Sequence, residues 1–172
     1  MKLIPLPVET QARTGKSHKL IIDYRDINGT SATTMAGQSQ TFSSPWTSGT
    51  AQAVIPPNAL GASSITLPAG TQVELDTVAN VTTAFASSGG SITSLTLSLG
   101  DGGSATRFLN AADLKTAGYV TGVVSTGRYL YTSADTIDAT ATISGQAIAS
   151  LNAGEVEILV NIKPVNDLAA VR

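Results

Sequence analysis

The sequence predicts an all-β protein: an antiparallel β-sandwich or jelly-roll-like domain with one short helix and an extended N-terminal region. About seven short segments at roughly regular spacing are predicted strands, and four of them alternate apolar and polar residues, which is the period of a strand with one buried face. Turn-forming residues separate these segments, and the alternation of strands with long helices that indicates a parallel sheet does not occur. With 172 residues, of which 42% are hydrophobic, the chain is long enough to bury a core.

We predict two regions along the chain: an extended or loop-rich N-terminal arm over residues 1–50 and a β-sandwich domain over residues 51–172. Pro5 and Pro7 lack the backbone N–H that a sheet ladder uses, which places the first segment at a sheet edge or in an extended conformation. Residues 18–27 have a β-branched and aromatic centre and are predicted to form a strand.

The composition of residues 28–50 predicts that this segment contacts a partner chain. The segment is mostly Ser, Thr, Gly and Gln, with too few large apolar residues to offset an ordering cost of about 1–2 kcal/mol per residue. Its aromatic residues are nevertheless of the types enriched in interface cores. The predicted partner-interface residues are Phe42, Trp46, Met35, Pro5 and Pro7. The alternatives are that this segment forms a long loop held by its aromatic residues, or one or two weak strands of the same domain.

Four alternating segments predict the strands of the sandwich. Residues 71–85 have apolar side chains at most odd positions, and residues 94–99 alternate Leu with Ser and Thr. Residues 129–143 and 155–162 continue the pattern, with the Glu residues of the last segment expected on the solvent face. The residues predicted to face the core are Leu95, Leu97, Leu99, Val156, Ile158, Val160 and Ile162.

The sequence also predicts a tight turn and the one short helix. Residues 100–103 (Gly-Asp-Gly-Gly) favour a turn because these residue types tolerate positive φ. Asn110 is a candidate N-cap for a helix that follows it, and Gly118 is a natural stop. Asp113 and Lys115 match the dipole of that helix.

Composition excludes several classes of function. Charged residues make up 13% of the chain and the net charge is −2, so we expect no nucleic-acid partner. The absence of cysteine excludes disulfides and thiolate chemistry, and the single histidine excludes a metal site with two imidazoles from one chain. The sequence has no apolar run near the roughly 20 residues of a membrane span. The N-terminal apolar run is short and broken by proline, so we also expect no signal peptide.

The candidates for catalysis are isolated residues. Any Ser-His-Asp triad would have to use His18, which lies between Lys16 and Lys19, and these cations oppose the imidazolium that a general base forms. Residues 10–17 end like a phosphate-binding loop, but Thr10 stands where that loop needs glycine and a predicted strand follows where it needs a helix. We interpret His18 as a strand-edge histidine near the surface.

Carboxylates and aromatic residues favour structural roles as well. Glu74 with Asp76, and Glu155 with Glu157, are predicted on solvent faces, whereas a glycosidase needs one carboxyl with a raised pKa in a cleft. Asp101 alone is far short of a calcium loop.

Tyr129 and Tyr131 share one strand face, which favours core or cross-strand packing over a ligand platform. We therefore predict no catalytic residues, no metal-binding residues, no cofactor and no enzymatic activity.

The second half of the chain resembles small virion proteins of tailed bacteriophages, which are usually encoded near the major capsid protein. Several such proteins are head decoration or cement proteins. The resemblance covers roughly residues 65–162 and consists of strand and turn signatures rather than catalytic residues. Its motifs are VTTAF (residues 81–85), LTLSLGDGGSATRFLNAADL (95–114), RYLYTSADTIDATATI (128–143) and LNAGEVEILVNI (151–162).

The resemblance implies a non-enzymatic capsid decoration protein that stabilises the head by contacting the major capsid protein. Its location would be the capsid surface of the virion, after synthesis in the host cytoplasm. A homo-oligomer, with a trimer favoured, would suit a capsid symmetry axis, and no membrane partner is expected. The alternatives are a tail, neck or head-fibre component, and a carbohydrate- or surface-binding β-sandwich module, which would show a cleft with converging aromatic and polar groups.

Overall fold

The part of the chain that the structure, a computed structural model, describes forms ten strands. The described residues are 2–28, 51–53, 69–121, 128–133, 135 and 137–164. The strands are β1 (Lys2–Pro5), β2 (His18–Asp23), β3 (Ala51–Ala53), β4 (Thr71–Ser87), β5 (Ser94–Asp101), β6 (Ser104–Asp113), β7 (Gly118–Thr121), β8 (Tyr129–Leu130), β9 (Asp138–Ser144) and β10 (Leu151–Pro164). The helices are α1 (Val8–Thr14), α2 (Tyr24–Asn28) and a 3-10 turn (Ile148–Ser150).

The strands make two antiparallel sheets. One is six-stranded, with the order β1-β2-β10-β4-β7 and β8 also paired to β4. The other is four-stranded, with the order β3-β9-β5-β6. Buried residues of both sheets belong to one hydrophobic core. The predicted all-β, antiparallel, sandwich-like fold is therefore confirmed.

The core contains the residues that the alternating apolar and polar pattern predicts to be buried. Leu95, Leu97 and Leu99 of β5 are at most 1% exposed, and so are the Val and Ile residues at positions 156, 158 and 160 of β10. Ile162 is partly buried against the same core. Glu155 and Glu157 are partly exposed on the opposite face. Each fully buried apolar side chain contributes about 1.5–3 kcal/mol relative to exposure.

Residues 2–28 differ from the predicted arm, because they join the six-stranded sheet. β2 pairs with β10 from His18 to Asp23, and β1 pairs with β2. The reason is burial: Leu20, Ile22 and Ile27 are at most 1% exposed in the core. Residues 29–50 lie outside the described residues, so an arm over that part of the chain remains a prediction.

The two helices of this region follow cap signals that periodicity does not detect. Pro7 occupies the N-cap position of α1, and Gly15 ends the helix in the left-handed region (φ 67°) with its N–H donated to the Gln11 carbonyl. At α2, the Asp23 carboxylate accepts the Asp26 N–H at 3.2 Å, and the Asp26 carboxylate accepts the Asp23 N–H at 3.0 Å. This reciprocal capping ends the predicted strand at residue 23.

The predicted helix from Asn110 is wrong, because β6 continues through that position to Asp113. A helix shorter than about 12 residues is marginal alone, whereas extension of β6 lets Leu109, Ala112 and Leu114 be buried. A bulge adjusts the register, and Ala111 adopts φ 55° there while its N–H is donated to the Ser98 hydroxyl.

Candidate interaction surface

The N-terminal strand β1 lies at one edge of the six-stranded sheet in the described part of the chain. The Leu6 N–H donates to the Ser17 carbonyl at 2.9 Å. Since bonded and non-bonded pairs alternate along an antiparallel ladder, the backbone nitrogen of Pro5 points to the free edge. Proline has no N–H, so this edge lacks one donor that an added strand would use. The expectation that this segment occupies a sheet edge is confirmed.

Exposed apolar side chains lie next to this edge. Ile4 of β1 is 41% exposed and Val8 at the start of α1 is 80% exposed, with exposed Pro7 between them in the sequence. We call Ile4, Pro7 and Val8 the N-terminal patch. Helix α1 contributes no buried residue to the core, so Val8 has no packing role within the described chain. Isolated exposed apolar residues are common, but several within a few positions of one another in the sequence favour an interaction surface.

The predicted partner-interface residues fall into two groups. Pro5 and Pro7 lie on the described segment that carries the N-terminal patch. Met35, Phe42 and Trp46 lie outside the described residues, so their interface role remains a prediction.

A buried polar cluster around Asp101 was not predicted from the sequence. Its Oδ1 accepts the backbone N–H groups of Gly103 at 3.0 Å and Ser104 at 2.9 Å. Its Oδ2 accepts the Tyr131 hydroxyl at 2.9 Å and the Arg107 Nε–H. We call Asp101, Arg107, Tyr129 and Tyr131 the Asp101 cluster. Because the carboxylate receives four hydrogen bonds, its burial at 3% exposure is compensated.

The Asp101 cluster connects the two sheets. Asp101 and Arg107 belong to β5 and β6 of the four-stranded sheet, whereas Tyr129 belongs to β8 on the six-stranded sheet. The Arg107 guanidinium carbon lies 3.8 Å from the centroid of the Tyr129 ring. Tyr129 and Tyr131 meet edge to face with ring centroids 4.9 Å apart. The predicted packing role of these two tyrosines is confirmed.

The tight turn before β6 depends on Gly100. A Cβ at this position would lie 1.9 Å from the Ser104 carbonyl oxygen and 2.4 Å from the Ala105 carbonyl carbon. Only glycine permits this approach of two backbone segments without a shift. The approach places the N–H groups of residues 103 and 104 on the Asp101 carboxylate.

The electrostatics of the Asp101 cluster favour one protonation state. Burial alone would raise the pKa of Asp101, but the hydrogen bonds from Arg107, Tyr131 and the Ser104 N–H outweigh it and hold the pKa below its ordinary value. Burial and the hydrogen bond to Asp101 raise the pKa of Tyr131. At neutral pH the carboxylate is therefore ionised and the phenol is protonated, and each group satisfies the other.

His18 occupies the start of β2 in a half-buried position, and burial lowers its pKa. Its Nδ1 lies 2.7 Å from the Ser17 hydroxyl oxygen. That oxygen also accepts the Ile162 N–H at 2.9 Å, so the hydroxyl joins the start of β2 to β10. The Gly-Lys-Ser run at residues 15–17 follows helix α1 and leads into β2, which is the reverse of the order in a phosphate-binding loop.

The carboxylates on the outer face of the six-stranded sheet take part in ion pairs and hydrogen bonds. Glu74 lies 3.3 Å from Lys16 and 3.7 Å from Arg128, and Glu157 lies 2.5 Å from Lys19. Burial would raise the pKa of Glu74, but hydrogen bonding and attraction from Lys16, with Arg128 and Asn161, lower it overall. This is the opposite of the raised pKa that a glycosidase acid needs. The side chain of Asp76 is outside the described part.

A shallow surface pocket of about 380 Å³ lies beside the end of β4. Its aromatic residue, Phe85, is 4% exposed and therefore offers no ring face for stacking. Its cation, Lys115, donates to the Thr93 carbonyl at 2.7 Å. The lining residues are Phe85, Ala86, Ser87, Gly90, Ser91, Ile92 and Lys115.

The described residues lack two kinds of feature. They contain no group of three or more His, Asp or Glu residues that could hold a metal ion. They also contain no helix that is both long and apolar enough to cross a membrane. Comparisons of the chain with protein-family models, with curated proteins and with solved structures found no match.

Proposed function

We propose that this protein is a non-enzymatic bacteriophage virion protein: a capsid decoration protein that binds the major capsid protein and stabilises the head. The strand and turn signatures of residues 65–162, which resemble small phage virion proteins, support the phage assignment. The polar groups of the Asp101 cluster bond to one another, which supports a structural role for them. The proposal also includes a homo-oligomer, with a trimer favoured, and a location on the capsid surface.

The observation that carries a binding role is the N-terminal patch. Val8 is 80% exposed on a helix that buries no residue of its own. The adjacent sheet edge lacks a donor at Pro5, so a partner would contact side chains rather than add a strand. Many copies on one particle would make even a modest contact per copy effective through multivalency.

A carbohydrate-binding module is the second candidate, and one residue favours it. Tyr119 of β7 is 81% exposed, and an exposed aromatic ring can pack against a sugar. A Tyr119→Ala variant separates the two functions: it should retain head binding if the protein is a decoration protein. A glycan-binding module would instead lose glycan binding with this substitution.

Co-expression with the major capsid protein of the same genome tests the proposal. Particles are isolated by density-gradient sedimentation, and the chain is expected to travel with them. An Ile4→Ser/Val8→Ser variant should be absent from the particle fraction. Leu130→Ser is the matched control, because Leu130 is 48% exposed on β8 and outside the patch. Wild-type protein that never accompanies particles would contradict the proposal.

Oligomeric state is tested separately on the purified protein. Light scattering after size exclusion is expected to give the mass of a trimer. A monomer at all concentrations would contradict the oligomer part of the proposal. Head binding is tested independently by the sedimentation experiment.

A further inference from the structure

Three side chains with complementary chemistry meet on the outer face of the six-stranded sheet. Asn161 of β10 pairs directly with Glu74 of β4. On the other side of β10, the pairing with β2 ends at Val160 and His18, and its continuation places Ser17 opposite Asn161 and Lys16 one residue further along. An amine, a carboxamide and a carboxylate thus occupy neighbouring positions on three adjacent segments.

The contact between Lys16 and Glu74 crosses β10. Their Nζ and Oε1 atoms are 3.3 Å apart, although β10 lies between β2 and β4. Neighbouring strands are about 4.8 Å apart, so the two side chains together span the width of β10 and pass over Asn161. Asn161 is accordingly only 5% exposed, and its amide is close enough to the Glu74 carboxylate to help lower the pKa of that group.

We propose that Lys16 and Asn161 form an intramolecular isopeptide bond, with Glu74 as the proton carrier. The Lys16 Nζ attacks the Asn161 Cγ, the Cγ–Nδ2 bond breaks, and ammonia leaves. One C–N bond forms and one breaks, so the reaction needs no oxidant, reductant or co-reactant. Glu74 lies 3.3 Å from the attacking nitrogen and directly across from Asn161, which carries the leaving nitrogen. This position allows it to take a proton from the first nitrogen and deliver one to the second.

The ion pair already contains the proton that the reaction needs to move. Transfer of one proton from the Lys16 ammonium to the Glu74 carboxylate yields a neutral amine, which is the nucleophilic form, and a neutral acid. The backbone fixes the two reacting residues, because the Ser17 N–H donates to the Val160 carbonyl at 3.2 Å and the Ile162 N–H donates to the Ser17 hydroxyl at 2.9 Å. Such positioning substitutes for a bimolecular encounter.

Arg128 sets the expected speed of the reaction. It lies 3.7 Å from the other oxygen of Glu74 and stabilises the ionised carboxylate. This opposes the proton transfer, so bond formation is expected to be slow in the wild-type protein and faster in Arg128→Gln. The bond would join residue 16 to residue 161 and enclose β2 to β9 and most of β10 in one covalent loop. The inference does not depend on the proposed function.

Mass spectrometry of the purified full-length protein tests the bond. Wild-type protein, incubated until its mass is constant, is expected to be lighter by one ammonia molecule. Tryptic digestion should then release a branched peptide that joins residues 14–19 to residues 129–172. Lys16→Arg keeps the positive charge without a nucleophilic amine, and Glu74→Gln keeps the shape without the proton carrier. Both variants should show complete loss of the branched peptide.

Lys19→Arg is the matched control, since Lys19 forms an analogous ion pair with Glu157 but lies opposite Leu159, which has no amide. This variant should keep the branched peptide. A wild-type mass that equals the sequence mass after prolonged incubation overturns the proposal. So does an ammonia loss that persists in Lys16→Arg, because it would originate elsewhere, for example at the Asn28-Gly29 step.

Discussion

The Asp101 cluster and the N-terminal patch use their side chains in opposite ways. In the cluster, a carboxylate with its side chain wholly buried is enclosed by Arg107, Tyr131 and two backbone N–H groups. In the patch, Ile4 and Val8 are apolar, exposed and outside the core. Substitutions in the first region should therefore change stability, whereas substitutions in the second should change association. The difference separates the residues that hold the sandwich together from the surface that we propose to contact a partner.

Loss of Gly100 should have the largest effect on the cluster. A Gly100→Ala methyl group would overlap the Ser104 backbone, so the turn must open, and the free energy of unfolding is expected to fall by about 3 kcal/mol or more. Gly102→Ala is the control, because its methyl group would meet a side-chain oxygen of Asp135 at 3.2 Å and no backbone atom within 4 Å. Urea unfolding measures both. Equal stabilities of the two variants would contradict the role of the turn.

Tyr131→Phe should lower the free energy of unfolding by less than Gly100→Ala does. It removes one hydrogen bond to the buried carboxylate of Asp101, and a hydrogen bond to a charged group contributes about 1.5–3 kcal/mol. The loss should appear in thermal unfolding. Tyr129→Phe is the matched control, because it keeps the ring that Arg107 covers and should leave stability nearly unchanged.

Acid should destabilise the folded protein, because it protonates the Asp101 carboxylate. The folded-state pKa of Asp101 is below its ordinary value, so its stabilisation is complete above the unfolded-state pKa of about 3.9 and is lost as the pH falls below that value. Asp23 and Glu74 shift in the same direction. Urea unfolding at pH 7 and at pH 3 compares the protein on either side of the unfolded-state Asp pKa of about 3.9. The free energy of unfolding should be lower at pH 3. In Asp101→Asn this fall should be shallower, and an unchanged slope would contradict the assignment.

The sequence predicts the alternating core strands better than it predicts the Asp101 cluster, for physical reasons. Strict alternation is a local signal, and it identified Leu95, Leu97 and Leu99 as core residues because a strand offers only two faces. The Asp101 cluster joins residues 6 and 30 positions apart. A local pattern does not indicate which distant side chain a buried carboxylate will contact. The one available signal was a lone Asp within a glycine-rich turn.

Local cap signals could have improved the prediction of the N-terminal region. Asp23 and Asp26 have the spacing of a capping box, and Pro7 and Gly15 bracket α1. At residues 110–115 the opposite error occurred, because a plausible cap and helix-forming residues were outweighed by burial of Leu109 and Leu114. Intrinsic propensity is a weak signal wherever tertiary packing offers an alternative.

Substitutions in the N-terminal patch should have the smallest effect on stability. Ile4→Ser/Val8→Ser removes apolar groups that contribute little to the core, so the free energy of unfolding should change by about 0.5 kcal/mol or less. Urea unfolding is the measurement, with Leu97→Ala as a buried reference that should lose about 2–5 kcal/mol. A large loss in the patch variant would show that this surface stabilises the fold.

The most direct test of the division between the two regions measures binding and stability on the same two variants. Particle association, by co-sedimentation with the major capsid protein at a temperature where both variants are folded, is compared for Ile4→Ser/Val8→Ser and Tyr131→Phe. The expected result is that the patch variant loses association with an unchanged melting temperature, whereas Tyr131→Phe melts earlier and still associates. Loss of association by Tyr131→Phe with full association by the patch variant would contradict the account.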